Sequence, residues 1–339
     1  MSDRAPQTAL EKAHTAFIRY PRLDDLNKKV RRCQRISKIS LEPQCLALEG
    51  ASGTGKTTFV RDLYAAHFPP IETPEGTIIP VLYAEIPSPA TVKTAVSTLL
   101  EALGDPAAHI GTVGALNSRL VGLIKECHVE LVILDEFNNL IDTETDRVLA
   151  KVSDWLKMLI KKTRIPFVVV GLEGKVERIL RANVQLSRLF ASREKLEPFK
   201  WDSATPRTIE AFSTFINTAE KQIGLPLPST LSRADLLYRL FYATDGVVGY
   251  VMNLLRYAVE LAEEQGCRTI ELSILAQAFD ERLAKHLNKA SNPFAAPTDM
   301  RFIAPPAPSS LDQKAGGTRK TSRLRGAKKG IGAGELSAK

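Results

Sequence analysis

Between residues 45 and 199, four short apolar runs interrupt a chain otherwise patterned for helices. They are CLAL (45–48), IIPVLYAEI (78–86), ELVILDE (130–136) and PFVVVGL (166–172). The segments between them, PATVKTAVSTLLEALG, TVGALNSRLVGLIKECH and DRVLAKVSDWLKMLIKKT, repeat apolar residues at three- and four-residue steps, the period of an amphipathic helix. Short strands separated by helices predict a parallel, doubly wound sheet. Upstream, LDDLNKKVRRCQRI predicts a helix within a lead-in over residues 1–40. After PFKW (198–201) the strand signals stop. Residues 206–223, 230–244, 247–264 and 270–288 carry helical patterns, broken at GLPLPS, TDG and GCRT. The expected layout is an α/β domain over 41–200, a small all-helical lid over 201–288, and a tail over 289–339. That tail is rich in Pro and Ala, then basic, and its composition predicts disorder. No internal repeat is visible.

Charge sharpens this picture through its placement. The net charge is +8, yet residues 1–40 alone hold ten Lys/Arg against four Asp/Glu, and residues 312–339 hold eight against two. The body between them is mildly acidic. The run KAGGTRKTSRLRGAKKG carries seven positive charges and no negative one, a composition suited to a polyanion. The four cysteines (Cys33, Cys45, Cys127, Cys267) form no C-x-x-C pair and no zinc-ligand spacing, so neither disulfides nor structural zinc is expected. No apolar run approaches the ~20 residues of a membrane span, and no signal peptide is legible. A cytoplasmic location is the expectation.

The chemistry concentrates in LEGASGTGKTTFV, Leu48 to Val60. An apolar run leads into G-x-x-x-x-G-K-[ST], and helical spacing comes next, which is the context a P-loop (Walker A) requires. Gly50, Ser52, Gly53, Thr54, Gly55, Lys56, Thr57 and Thr58 are the expected nucleotide-binding residues. The glycines let backbone N–H groups turn toward phosphate oxygens, and the adjoining helix N-terminus adds partial positive charge. Lys56 can reach the β- and γ-phosphates of ATP, and the Thr57 hydroxyl can ligate Mg²⁺. In ELVILDEFNNL, four apolar residues deliver Asp135 and Glu136 to the C-terminal end of a strand, where ligands bind in open α/β sheets. Asp135 is the expected second Mg²⁺ residue, and Glu136 the group that polarises the attacking water.

A P-loop, an acidic pair and a helical lid in this order resemble the layout of AAA+ ATPases. That resemblance implies that PFVVVGL lies between the strands of the two motifs and offers a polar sensor residue. Here its tip reads Gly171-Leu172-Glu173, with Glu173 the sole nearby polar group. It also implies an arginine presented to a neighbouring subunit's γ-phosphate, for which Arg188 in LSRLF fits best, with Arg193 behind it. The second sensor arginine is missing: Gly249 stands at its place, and Arg256 comes about two helical turns later.

YPRLDDLNKKV (20–30), LEGASGTGKTT, ELVILDEFNNL, FVVVGLEG and QLSRLF…LEPF, in that order, are similar to the TniB/TnsC family of AAA+ ATPases from bacterial transposons, including CRISPR-associated elements. The resemblance covers residues 15–285. It implies an ATPase that oligomerises on double-stranded DNA, marks a target, and recruits a transposase with a TniQ-type target-selection protein. It also implies backbone contacts from Lys93 (in PATVKTAV) and Thr112 (in HIGTVGAL) to DNA. An AAA+ replication initiator or helicase loader is the alternative, although an initiator is expected to append a winged helix after its lid. A nucleotide-binding scaffold without hydrolysis is a third reading, opposed by the intact Lys56, Asp135 and Glu136.

Overall fold

The computed structural model describes residues 8–141, 145–287, 289 and 291–295. Five parallel strands form the central sheet: β1 (Leu46–Gly50), β2 (Val81–Glu85), β3 (Leu131–Asp135), β4 (Phe167–Leu172) and β5 (Ser192–Lys195). Their spatial order is β2-β3-β4-β1-β5. Register sets Leu46 beside Val168, Val132 beside Phe167, and Glu85 beside Asp135. Strand β4 therefore lies between the P-loop strand and the strand bearing the acidic pair, as the AAA+ resemblance implied. A two-stranded hairpin, Ile71–Thr73 with Gly76–Ile78, stands apart from this sheet.

The four strands other than β5 are mostly apolar because both sheet faces are covered. Leu46, Leu48, Val168 and Val170 enter one core; Ala47, Val132, Val169 and Phe167 enter the other. The second core is closed by α3 (Val92–Ala102), α4 (Val113–Glu126), α5 (Asp146–Thr163), α6 (Lys175–Arg181) and α7 (Val184–Leu189). The first is closed by α2 (Pro21–Ser37), by the helix after the P-loop and by the lid. Strand β5 escaped the sequence reading because SREK has no apolar run. It is an edge strand, and charge along an edge discourages pairing with other chains.

The lid is helical: α8 (Pro206–Ile223), α9 (Arg233–Thr244), α10 (Val248–Glu264) and α11 (Leu272–Arg282). Tyr20, Phe199, Trp201, Phe212 and Phe215 stack at the junction of sheet and lid, with ring centroids 5.1–6.4 Å apart. The lead-in does not hang free. Helix α1 (Ala9–Thr15) packs on α10 and α8, where the Leu10 N–H donates to Glu263 at 2.9 Å.

The first residues beyond the lid dock on it, where composition predicted free chain. Asn292 Nδ2 donates to the Ala276 carbonyl at 2.8 Å, Arg239 Nη1 donates to that of Pro293 at 2.5 Å, and Phe294 is buried against Phe279. Arg239 is itself buried and paired with Asp235 at 2.9 Å. The Phe294 side chain, the Pro293 carbonyl and the Asn292 amide outweighed the Pro/Ala-rich context. The basic run 314–330 lies outside the described residues. Among the described residues no helix is long and apolar enough to cross a membrane.

Candidate functional site

The loop 51–55 leaves the end of β1 in the left-handed conformations that glycine tolerates: φ is +77° at Gly53 and +94° at Gly55. Thr54 pins the turn by donating its hydroxyl to the Ala51 carbonyl at 2.9 Å. Lys56 and Thr57 then open the P-loop helix, which widens to π geometry over Thr58–Tyr64. Such wide turns are rare and concentrate at functional sites. Lys56 is buried and folded back onto its own loop, its Nζ donating to the carbonyls of Gly50 (2.9 Å) and Ala51 (2.8 Å). Burial pushes the ammonium below the usual lysine range, while the charges of Glu136 and Asp135 oppose that shift.

The acidic pair takes two different environments. Asp135 ends β3 fully buried; its Oδ1 accepts from the Glu136 N–H at 2.8 Å and its Oδ2 from the Tyr83 hydroxyl at 3.2 Å. Burial, followed by the Asp135 charge, keeps that phenol protonated far above neutrality. Glu136 turns out of the strand in a left-handed conformation, φ 50° and ψ 37°, and faces the cleft. Asn138 sits beside it. Its amide nitrogen lies 3.4 Å from the Glu136 carboxylate, and its carbonyl accepts from the Leu172 N–H at 2.9 Å. The tip of β4 therefore receives its polar group from the loop after β3. Glu173 turns away to pair with Lys195 at 2.8 Å.

Ser52, Gly53, Thr54, Gly55, Lys56, Thr57, Thr58 and Glu136 line one cleft of about 460 Å³, within the usual range of ligand pockets. Gly50 supplies a carbonyl beneath it, and Asp135 lies behind. The other wall is apolar and comes from distant segments: Phe17, Ile18, Tyr20 and Leu23 before the sheet, Val248 and Met252 from α10. None of these was read from the sequence as lining the site, although Tyr20 and Leu23 fall in the YPRLDDLNKKV motif, because no local pattern says that lead-in and lid meet. The Gly249 N–H donates to the Gly53 carbonyl at 2.8 Å, and a β-carbon at 249 would stand 2.9 Å from that oxygen. A side chain at 249 would force Gly53 to shift, which is consistent with glycine at this position. Arg256 reaches the cleft but is spent on the lead-in, its Nε donating to the Ala13 carbonyl at 3.1 Å.

The remaining predicted residues lie elsewhere. Arg188 projects from α7, exposed, with no acidic partner among the described residues and beside the exposed Val184. Arg193 is tied to Glu177, to the Ser187 hydroxyl at 2.6 Å and to the Phe190 carbonyl at 3.1 Å. Of the two candidates, Arg188 alone is available to a neighbour. Lys93 is exposed in the first turn of α3. Thr112 caps α4, accepting from the Ala115 N–H at 3.3 Å, and remains exposed.

This sheet order, with a loop of P-loop geometry at β1, an acidic pair at β3 and a helical lid over both, is the AAA+ fold. Solved structures agree on that fold at low identity. Cdc6p from Pyrobaculum aerophilum superposes with a TM-score of 0.58 at 17% identity, covering 80% of this chain and 70% of its own. The Aeropyrum pernix ORC1 protein, solved in complex with DNA, gives 0.56 at 16%, covering 81% and 71%. The A. pernix ORC2 protein, in its ADPNP–ADP complexes, gives 0.55 at 18%, covering 80% and 71%. No curated protein sequence matches the chain significantly. The bacterial TniB protein family matches residues 9–201, more than half the chain, and the protein belongs to that family.

Proposed function

We propose that this protein is an ATP-hydrolysing assembly switch that oligomerises on double-stranded DNA and directs a transposase to it, working with a TniQ-type target-selection protein. The observation that carries the reading is the convergence of Lys56, Thr57, Glu136 and the Gly53–Gly249 contact on one cleft. On nucleotide binding, Lys56 exchanges two loop carbonyls for β- and γ-phosphate oxygens. The apolar wall from Phe17 to Leu23, with Val248 and Met252, receives the base. Thr57 and Asp135 offer two oxygens, the small protein share that Mg²⁺ takes when phosphates complete its shell. When bound, that ion neutralises charge developing on the phosphates. Glu136 orients the attacking water, and Asn138 holds the carboxylate from the side. Arg188 of an adjoining copy supplies the remaining cation, so turnover needs assembly. Lys93 and Thr112 contact the DNA backbone without reading bases.

Family membership supports the transposition setting; the likeness to initiators is one of fold. The test is ATPase activity of the purified protein against its own concentration, with and without duplex DNA. Specific activity should rise with both. A specific activity independent of concentration and of DNA would overturn the switch.

A further inference from the structure

Helix α2 divides its cations between two faces. Arg22 and Lys29 pair with Asp25 and Glu194, and Lys38, just past the helix end, pairs with Glu130, at 2.6–3.1 Å. Lys28, Arg31, Arg32 and Arg35 are exposed on another face and have no acidic partner among the described residues. Their spacing, i, i+3, i+4 and i+7, places them along one ridge. They are the walls of a single shallow recess. Arg31 is held in place: its guanidinium stacks 6.0 Å from the Tyr64 ring and 5.5 Å from that of Phe68.

We propose that this ridge is a second binding surface for the phosphate backbone of duplex DNA, separate from Lys93 and Thr112. Four like charges this close repel one another, and no carboxylate here relieves them; an external polyanion does. No apolar side chain lines the recess; of the apolar residues of α2, Leu23, Leu26, Val30 and Cys33 are buried and Ile36 is half-buried. A protein partner would be expected to meet an apolar centre there. Seven residues of helix span about 10 Å, roughly the axial rise of three phosphates on one strand at about 3.4 Å each. Arginine and lysine heads on phosphates carry no sequence preference. The ridge is also physically continuous with the cleft: Leu23 of the same helix lines the cleft, and Tyr64, which braces Arg31, belongs to the P-loop helix and bonds Gln34 of α2 at 2.8 Å.

This inference rests on DNA as the partner proposed above and adds a place where it is held. The test is a combined Lys28→Ala, Arg32→Ala, Arg35→Ala variant of the full chain, measured with ATP on a random-sequence duplex across a salt series. Each lost phosphate contact should flatten the slope of log K against log salt by about 0.9, so the slope should become shallower by roughly two to three, with weaker binding on every sequence. Arg32→Lys with Arg35→Lys should keep the wild-type slope, since charge and not fork geometry does the binding. An unchanged melting temperature certifies the fold of the alanine variant. If wild type binds duplex DNA and the variant's slope is the same, the ridge is overturned alone. If the variant keeps that slope but no longer self-assembles, the ridge is a subunit interface and the proposal is equally overturned. If wild type binds no duplex DNA at any salt, the proposed function and the ridge fall together.

Discussion

At Lys56 two loop carbonyls, of Gly50 and Ala51, hold the ammonium, which in the proposed function exchanges them for phosphate oxygens. Lys56→Ala should therefore abolish ATP binding, read by titration with a fluorescent nucleotide. Glu136→Gln should bind ATP as wild type does while hydrolysis falls by about a hundredfold or more; wild-type turnover would remove Glu136 from its role. Gly249→Ala is the sharper structural test. The new methyl must displace a backbone oxygen, an overpacking that costs about 1–3 kcal/mol. It should appear as a roughly five- to hundredfold weaker ATP affinity, since each 1.4 kcal/mol is tenfold. Lys56, Asp135 and Glu136 were legible because each motif is local: a few consecutive residues determine the turn or strand end that presents them. Asn138 was not, since its partner at Leu172 becomes a neighbour only once β4 lies beside β3.

Among elements, the contact of α6 with β5 sets which arginine is engaged: Arg193 of β5 is tied to Glu177 of α6, and Arg188 of α7 is exposed. The Glu49 carboxylate, at the end of β1, accepts from the Glu177 N–H in the first turn of α6 at 2.8 Å, and the Glu177 carboxylate in turn holds Arg193. Arg193 also donates to the Ser187 hydroxyl, so a chain of bonds runs from the P-loop strand to the helix carrying Arg188. Arg188→Ala should still bind ATP but lose DNA-stimulated turnover. Mixing it with Lys56→Ala should restore part of the rate, provided Lys56→Ala still joins the assembly, because one variant brings a sound loop and the other a sound arginine to a shared interface. Full stimulated turnover by Arg188→Ala alone would show that the finger is another residue. The helices and inner strands were readable because burial imposes a period on each. Strand β5, polar and at the edge, has no such imprint, and neither has the docking of α1 on α10, where the bonds join residues over 240 positions apart.

For the whole molecule, the lid is completed by a segment just beyond its last helices. Phe294 fills the core beside Phe279, and Phe294→Ala should cost about 3–5 kcal/mol. A lowered melting temperature would report it, partly recovered by saturating ATP, since a ligand that binds only the folded state stabilises it. An unchanged melting curve would mean that the lid closes without this side chain.

The wall that joins Ala13–Leu23 to α10 also sets a timetable. Ala13 and Arg256 are 243 residues apart, and at about 5–20 residues per second the ribosome needs roughly 12–50 s to supply the second after the first. For most of that interval, from Thr58 onward, the P-loop is already made but lacks one side of its cleft. A nascent chain halted before α10 should therefore ignore ATP, and one halted after α11 has emerged should bind it. Nucleotide would then act on each new molecule as a proofreader of completion, engaging only chains whose lid has been delivered.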